Sequence, residues 1–212
     1  AESKGTKLLS LSGDCERPGI YEYPFGVTVR RVLEDCGAPD AQGIQMAGPA
    51  GHMISARQFD RRICFEDLAT GGSFMVFSHR RDILDGVRNF AHFFVHESCG
   101  FCTPCRVGTS LLRDLVTKVH TGHGTRYDLE EMRKLGRIMQ VACHCGLGQT
   151  APNPVLDSLD QFPEAWERRL RSTAFEPAFD LNAALEQARR LTGRKDPGAY
   201  LHEEDLMIGA MP

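Results

Sequence analysis

Four cysteines are the residues of this chain whose type and spacing could do chemistry. Three are separated by two residues each and the fourth lies forty residues further on: Cys99, Cys102, Cys105 and Cys145, called the ligand cysteines from here. Four thiolates can complete a tetrahedral zinc site or hold the irons of a [4Fe–4S] cluster. Structural zinc usually takes its ligands as two separated pairs, whereas three closely spaced cysteines and a distant fourth are typical of a cubane cluster. The spacing therefore favours a [4Fe–4S] cluster, and a zinc-stabilised docking module without redox activity is the alternative.

The residues beside the first three cysteines favour a loop that wraps a metal group. Gly100 and Pro104 are expected to keep this stretch out of a helix, and small residues let backbone N–H groups approach the sulfurs. Arg106 would place a fixed positive charge beside the cluster and raise its potential, with an ordinary surface arginine as the alternative.

The fourth ligand has a competitor, because Cys143-His144-Cys145 offers two thiols and an imidazole. We favour Cys145, since Gly146-Leu147-Gly148 directly after it permits a tight turn under a cluster. Cys143 is expected to be a helix-end thiol that points into the core. His144 is expected to face solvent or to support the site without ligating the metal.

The glycines after Cys145 also match a second motif. Gly146, Gly148 and Ala151 have the spacing of the dinucleotide-binding fingerprint, which requires a strand before it and a helix opening on its last small residue. Here a helical pattern comes before the glycines, and Pro152 and Pro154 follow them. We therefore expect no FMN or NAD site in this chain.

Composition narrows the class of protein. The chain has 212 residues, a net charge of −3 and a sequence pI near 6.3, which exclude a basic face for nucleic acid. It has no apolar run of the roughly 18 residues that a membrane span needs and no signal-peptide pattern. The clustering of half of the eight cysteines at metal spacing indicates a reducing compartment, so a cytoplasmic location is expected. Cys15, Cys36 and Cys64 have no metal spacing and are expected to be small buried side chains.

The first eighty residues have the pattern of short strands around one helix. Thr28 is a helix-starting residue and Gly37 a helix-ending one, with inward apolar positions between them. The order of two strands, a helix and further strands predicts a small β-grasp (ubiquitin-like) sheet. The predicted strands are Thr6–Ser12, Ile20–Phe25, Gly43–Gly48 and Ser73–Ser78.

After Ser78 the apolar residues recur with the 3.6-residue period of a helix. The fold class is thus α+β, with a β-grasp domain over 1–80, a [4Fe–4S]-binding helical bundle over 81–171 and an extension over 172–212. Asp128 and Glu131 are expected to cap the third helix of the bundle. The predicted helical stretches are 83–94, 107–119, a third from Asp128, Val155–Leu159, Ala165–Leu170 and, in the extension, Asp180–Leu191.

The segment Glu97–Arg106 resembles the cluster loop of the NADH-binding flavoprotein (diaphorase) subunits. This family includes a subunit of respiratory complex I and the diaphorase subunits of soluble NAD-dependent formate dehydrogenases and NAD-reducing hydrogenases. Cys145–Gly148 falls where the family has its fourth ligand. The extension, with Pro177–Leu181, is more similar to the formate dehydrogenase and hydrogenase members. In the family a flavin- and NADH-binding domain precedes this region, and since the chain begins with Ala1 in place of methionine, we expect it to be a piece of a longer protein.

The resemblance implies a role in electron transfer. One [4Fe–4S] cluster on the ligand cysteines, surrounded by Ser98, Gly100, Arg106 and Gly146, would take electrons from an FMN in the upstream region, which also binds NAD. It would pass them to a thioredoxin-like [2Fe–2S] subunit and a larger iron–sulfur or catalytic subunit. The chain would thus be a part of a multisubunit NAD-dependent oxidoreductase, without a nucleic-acid partner or a membrane span.

Overall fold

Alternating apolar and polar residues near the start of the chain form a five-stranded sheet. The structure, a computed structural model, describes residues 2–172 and 181–193, which belong to two compact units, Ala1–Ala174 and Phe175–Pro212. The strands are β1 (Thr6–Gly13), β2 (Gly19–Pro24), β3 (Ala41–Met46), β4 (His52–Ser55) and β5 (Ser73–Ser78). Their spatial order is β2-β1-β5-β3-β4, with β1 and β5 parallel and the other neighbours antiparallel.

One face of this sheet is covered by helix α1 (Val29–Cys36). The helix begins as its sequence predicts, because the Thr28 hydroxyl accepts a hydrogen bond from the backbone N–H of Arg31 at 3.3 Å. It ends at Gly37, whose φ of 70° lies in the region that favours glycine. Together the helix and sheet bury an apolar core that includes Leu9, Leu11, Val29, Val32, Leu33, Ile44, Ile54, Phe74 and Val76.

The three cysteines of this region, Cys15, Cys36 and Cys64, are free thiols. Cys36 and Cys64 are buried, as expected for small apolar side chains. Cys15 differs from the expectation, because it is only half-buried and packs against the margin of the core.

The opposite face of the sheet contributes Met53 and Phe77 to a second apolar core, which is otherwise built by helices. Within it Trp166 is fully buried, and helix α3 packs against both α2 and α4, as the helical period of the sequence requires. These helices are α2 (Ile83–Glu97), α3 (Thr103–His120), α4 (Arg126–Ala142), α5 (Gly146–Thr150), α6 (Asn153–Gln161) and α7 (Pro163–Glu167). The α+β class is therefore confirmed.

Two helix starts differ from the sequence-based expectation. Helix α3 begins at Thr103 and contains Pro104, so the expectation that this proline keeps the stretch out of a helix is wrong. A first-turn N–H has no partner within the helix, so a proline there removes no hydrogen bond. Helix α4 is capped by Thr125 with Asp128, because the Asp128 carboxylate accepts the Thr125 N–H at 2.8 Å; the expected pair of Asp128 and Glu131 is wrong.

In the second unit the structure describes helix α8 (Leu181–Thr192) and Gly193. This helix covers the predicted one from Leu181 to Leu191 and runs one residue further. Asp180 lies outside the described residues, together with 177–179 of the family-like segment. Over the described parts of the chain, no helix is both long enough and apolar enough to cross a membrane.

Candidate metal centre

The ends of three helices bring cysteines together. Cys102 is the residue before α3 and Cys105 lies in the first turn of that helix. Cys145 is the residue before α5, and Cys143 is the residue after α4. The thiol of Cys143 is near enough to the other three to interact with them electrostatically. Three predicted ligands thus meet, and Cys143 lies among them.

The remaining predicted ligand, Cys99, is on the exposed loop between α2 and α3. Ser98 ties this loop to the site, because its Oγ lies 3.3 Å from Cys105 Sγ and accepts the N–H of Gly100 at 3.3 Å. Gly100 has a φ of 75° and so lies outside any helix, as expected. Cys99 and Cys145 are exposed, whereas Cys105 is buried.

The sulfur of Cys102 is the one best supplied with hydrogen-bond donors. The backbone N–H of His144 lowers the pKa of Cys102 most, and the N–H of Cys105 and the thiol of Cys143 lower it further. Hydrogen bonds to a thiolate stabilise it, and the thiolate is the form that binds metal. The side chain of His144 is exposed, and its ring lies edge-on to Phe101 at 5.8 Å between centroids.

Arg106 braces the loop of the first three cysteines. Its Nη1 donates to the carbonyl oxygen of Gly100 at 2.6 Å, and its Nη2 lies 3.5 Å from the hydroxyl of Thr103. The guanidinium therefore spans the loop between Cys99 and Cys102 and leaves its positive charge on that loop.

Gly148 lets helix α5 approach the cysteines closely. A Cβ at this position would lie 2.6 Å from Cys143 Sγ and 3.0 Å from Cys105 Cβ, which is too close for a side chain. A Cβ on Gly146 would meet no atom within 4 Å. Gly146 is the glycine that the sequence predicts beside the ligands, but the close contact belongs to Gly148. Both residues are in the same short motif, so spacing alone could not distinguish them.

Cys143 is a buried thiol, with 4% of its surface exposed. Burial raises its pKa to about 11, and the neighbouring thiols contribute to the same shift. Its carbonyl oxygen accepts a hydrogen bond from the Gln149 amide at 2.9 Å. The expected helix-end position in the core agrees with this placement, whereas the contact with the other cysteines is not evident from the spacing.

A second group of possible metal ligands lies elsewhere in the described chain. His120 Nε2 is 2.6 Å from Asp85 Oδ1, and Asp82 is close by. The carboxylate of Asp82 is already paired with Arg168 and Arg169. The negative charge of Asp82 is thus already balanced by arginines and is not available to a metal cation. This group is therefore an ion-pair network.

The donor set fits an iron–sulfur group. Thiols converge at the N-terminus of the 18-residue helix α3, whose partial positive charge suits an anionic thiolate-bound cluster. Backbone N–H groups point at Cys102, and hydrogen bonds of this kind help to set the potential of such clusters. The arrangement can therefore hold a cluster with one side near solvent and the other against the apolar core.

Comparison with known proteins agrees with this chemistry. Residues 85–169 match the family described as the NADH-ubiquinone oxidoreductase-F iron–sulfur binding region. The chain is 43% identical over 187 residues to the NAD-reducing hydrogenase HoxS subunit alpha of Cupriavidus necator, covering 87% of this chain and 31% of that protein. It is 30% identical over 183 residues to an NADH-quinone oxidoreductase subunit of Escherichia coli, covering 81% of this chain and 41% of that protein.

A solved structure is similar as well. The crystal structure of an NAD⁺-reducing [NiFe]-hydrogenase in the H₂-reduced state matches with a TM-score of 0.80 at 44% identity, covering 95% of this chain and 36% of that one. The chain thus spans between 31% and 41% of the length of these three relatives. The resemblance inferred from the cysteine loop is confirmed. Residues 85–169, which match the iron–sulfur binding region of NADH-ubiquinone oxidoreductase-F, hold all four ligand cysteines.

Proposed function

We propose that this chain is the cluster-bearing, electron-transferring segment of an NAD-dependent oxidoreductase. One [4Fe–4S] cluster would be held by the ligand cysteines, Cys99, Cys102, Cys105 and Cys145. The observation that carries the proposal is the family match over 85–169, which includes all four residues. The convergence of three of them at helix ends supports it.

The chain's own residues would position the cluster and shape its surroundings. A bound cluster of this type supplies one-electron transfer. The first turn of α3 sets the spacing of Cys102 and Cys105, and Ser98 holds the preceding loop against Cys105. The second apolar core excludes water behind Cys105, while the exposed side at Cys99 and Cys145 leaves a short path to a partner.

We also propose a division into domains. We place a β-grasp domain in 1–80, an iron–sulfur helical bundle in 81–171 and an extension in 172–212. The strand order β2-β1-β5-β3-β4, with the parallel pair β1 and β5 in the middle and α1 on one face, supports the β-grasp assignment. The packing of α3 against both α2 and α4 supports the bundle.

We infer the rest of the enzyme from the relatives. Their names describe NAD-reducing hydrogenase and NADH-quinone oxidoreductase subunits, so hydrogen or a quinone is the second substrate that we propose, with formate as a further possibility from the family. FMN and NAD would bind outside these 212 residues. The partners would be a thioredoxin-like [2Fe–2S] subunit and a larger iron–sulfur or catalytic subunit, in the cytoplasm, where free thiols persist.

Metal analysis tests the core of the proposal. Anaerobically purified or reconstituted chain should contain about four irons and four sulfides and should be brown. Cys145→Ser should lose most of this content and unfold at a lower temperature, because metal binding is coupled to folding. Cys64→Ser is the matched control, since Cys64 lies outside the site and its Sγ hydrogen-bonds the Arg62 carbonyl. One zinc without sulfide would instead identify a structural docking module.

A further inference from the structure

Arg106 holds two carbonyl groups of the loop that carries Cys99 and Cys102. Its backbone N–H donates to the carbonyl oxygen of Cys102 at 3.0 Å, within the first turn of α3. Its side-chain Nη1 donates to the carbonyl oxygen of Gly100 at 2.6 Å. We propose that Arg106 is a positioning residue that fixes this loop in its ligating shape before any metal is bound and thereby speeds cluster assembly. The part that concerns assembly rests on the proposed function.

Gly100 is the residue of this loop that most needs a restraint. Glycine has more conformational freedom than any other residue, and Gly100 has a φ of 75°, which other residues rarely adopt. It lies between Cys99 and Cys102, so a rotation at Gly100 would move one ligand relative to the other. Its N–H donates to Ser98 Oγ at 3.3 Å, and its carbonyl oxygen accepts from Arg106. Both polar backbone groups of Gly100 are thus held by side chains.

The donor at the Gly100 carbonyl is a permanent cation. A guanidinium stays charged at all pH values that a protein meets, and hydrogen bonds from charged donors are shorter and stronger than those between neutral groups. The second contact of the Arg106 side chain is the hydroxyl of Thr103, at 3.5 Å. Both partners that the described residues supply are therefore neutral. The positive charge is not cancelled on the loop, and it remains beside the place where an anionic cluster would bind.

A loop that is ordered in advance binds its ligand at a lower entropic cost. Each backbone residue that becomes fixed on binding loses conformational entropy, and preorganisation removes that loss from the binding step. Without Arg106 the loop should sample other conformations, although all four ligand cysteines are still present. The expected defect is therefore slow assembly, whereas removal of a ligand should lower the final iron content.

Hydrogen exchange in the metal-free chain tests the restraint by itself. Arg106→Met keeps an apolar stem and removes both the donor and the charge. We expect the Gly100 amide to exchange roughly tenfold faster in this variant than in wild type, the factor that corresponds to the loss of a hydrogen bond from a charged group. Arg113→Met is the matched control, because Arg113 lies two turns further along α3 and pairs with Asp114. It should leave the exchange of Gly100 unchanged.

Anaerobic reconstitution with ferrous iron and sulfide tests the consequence for assembly. Cluster formation, followed by visible absorbance, should be several-fold slower in Arg106→Met than in wild type, with the same final iron and sulfide content. Its midpoint potential should also be lower, because a positive charge beside the cluster favours the reduced form. Arg106→Lys keeps the charge but not the planar fork of donors, so it should restore the potential and recover the assembly rate only in part.

Two results would overturn the inference while leaving the proposed function intact. Equal Gly100 exchange and equal assembly rates in wild type and Arg106→Met would make Arg106 an ordinary surface arginine. A lower final iron content with unchanged Gly100 exchange would assign its effect to the bound cluster and not to the loop. A wild-type chain that takes up no iron and sulfide would instead defeat the proposed function, and the exchange of Gly100 would still decide whether Arg106 holds the loop.

Discussion

Asp157 on α6 contacts His52 on β4, with 3.0 Å between the carboxylate Oδ2 and the imidazole Nδ1. The same oxygen accepts the backbone N–H of Met53 at 2.9 Å. A further bond of 2.9 Å joins the Ser55 hydroxyl to the side-chain oxygen of Gln161. Polar groups thus fasten α6 to the edge strand of the sheet, beside the apolar core that the two share.

The pair of His52 and Asp157 should make stability depend on pH. The hydrogen bond to Asp157 raises the pKa of His52 above its ordinary value. Its contribution is therefore fully present below the unfolded value of about 6.5 and is lost as pH rises through the raised pKa. His52→Gln should lower the free energy of unfolding at about pH 5 and change it little at about pH 8.5.

The size of that effect is limited, because the His52 side chain is 61% exposed. Pairs with this exposure contribute less than about 1 kcal/mol. Urea unfolding at both pH values measures the difference, with Asp157→Asn as the variant that removes the partner. A penalty of equal size at the two pH values would mean that the imidazole charge contributes nothing.

Gly148→Ala should disrupt the cysteine site, whereas Gly146→Ala should not. The added methyl group would lie 2.6 Å from Cys143 Sγ in the first variant and would meet nothing within 4 Å in the second. Overpacking of this kind costs about 1–3 kcal/mol. We expect Gly148→Ala to retain less iron and sulfide than wild type and to unfold at a lower temperature. Equal iron in the two alanine variants would contradict the close packing of α5.

Asp14 should stabilise the fold through its bonds to the end of β5. Its carboxylate accepts from Arg81 Nε at 2.8 Å and from the Ser78 N–H at 3.0 Å. The Arg81 guanidinium, aided by Ser78, holds the pKa of Asp14 well below its usual range. The stabilisation is thus present above the unfolded value of about 3.9 and is lost as pH falls through the lowered pKa.

Asp14→Asn should therefore lower the free energy of unfolding at neutral pH by about 1 kcal/mol, a value reduced by the exposure of the arginine. Thermal or urea unfolding across the acidic range measures this. The gap between the variant and wild type should narrow as pH falls below about 4. A gap that is constant down to acid pH would assign the effect to packing.

The chain alone should be reduced by dithionite but not by NADH. Its only glycine pattern of nucleotide-binding spacing, at Gly146 and Gly148, opens a five-residue helix within the cysteine site. A two-electron hydride also needs a flavin to divide it into single electrons. Absorbance bleaching under anaerobic conditions distinguishes the two reductants, and NADH-driven bleaching would reveal a nucleotide site within these 212 residues.

Local signals predicted much of the fold. The ends of α1 at Thr28 and Gly37 and the bounds of β5 (Ser73–Ser78) follow from capping and alternation, which act over a few residues. Strand β4 (His52–Ser55) was missed, because four residues are too few for a period and its pairing with β3 decides it. The prediction that Pro104 prevents a helix was wrong, because the effect of a proline depends on its position in the helix.

At the candidate site, too, local sequence signals predict some features, whereas tertiary packing decides the others. The spacing of the cysteines identifies the class of metal group, since a loop of fixed length must wrap it. The spacing does not determine which sulfur atoms are neighbours in the folded chain. The contact between Cys143 and Cys102 and the packing at Gly148 therefore could not be predicted from the sequence. Both depend on how α4 and α5 meet α3, which is a property of tertiary packing.

The ligand cysteines differ in exposure, and this difference determines the order in which the thiols of the metal-free chain should be oxidised in air. Peroxide would reach Cys99 and Cys145 first, because both are exposed, while Cys105 is shielded by the core. Oxidation beyond the sulfenic acid is irreversible, and an oxidised thiol no longer ligates iron. Neither exposed thiol supports the apolar core. Stored apoprotein should thus lose its capacity for cluster assembly long before it loses its fold.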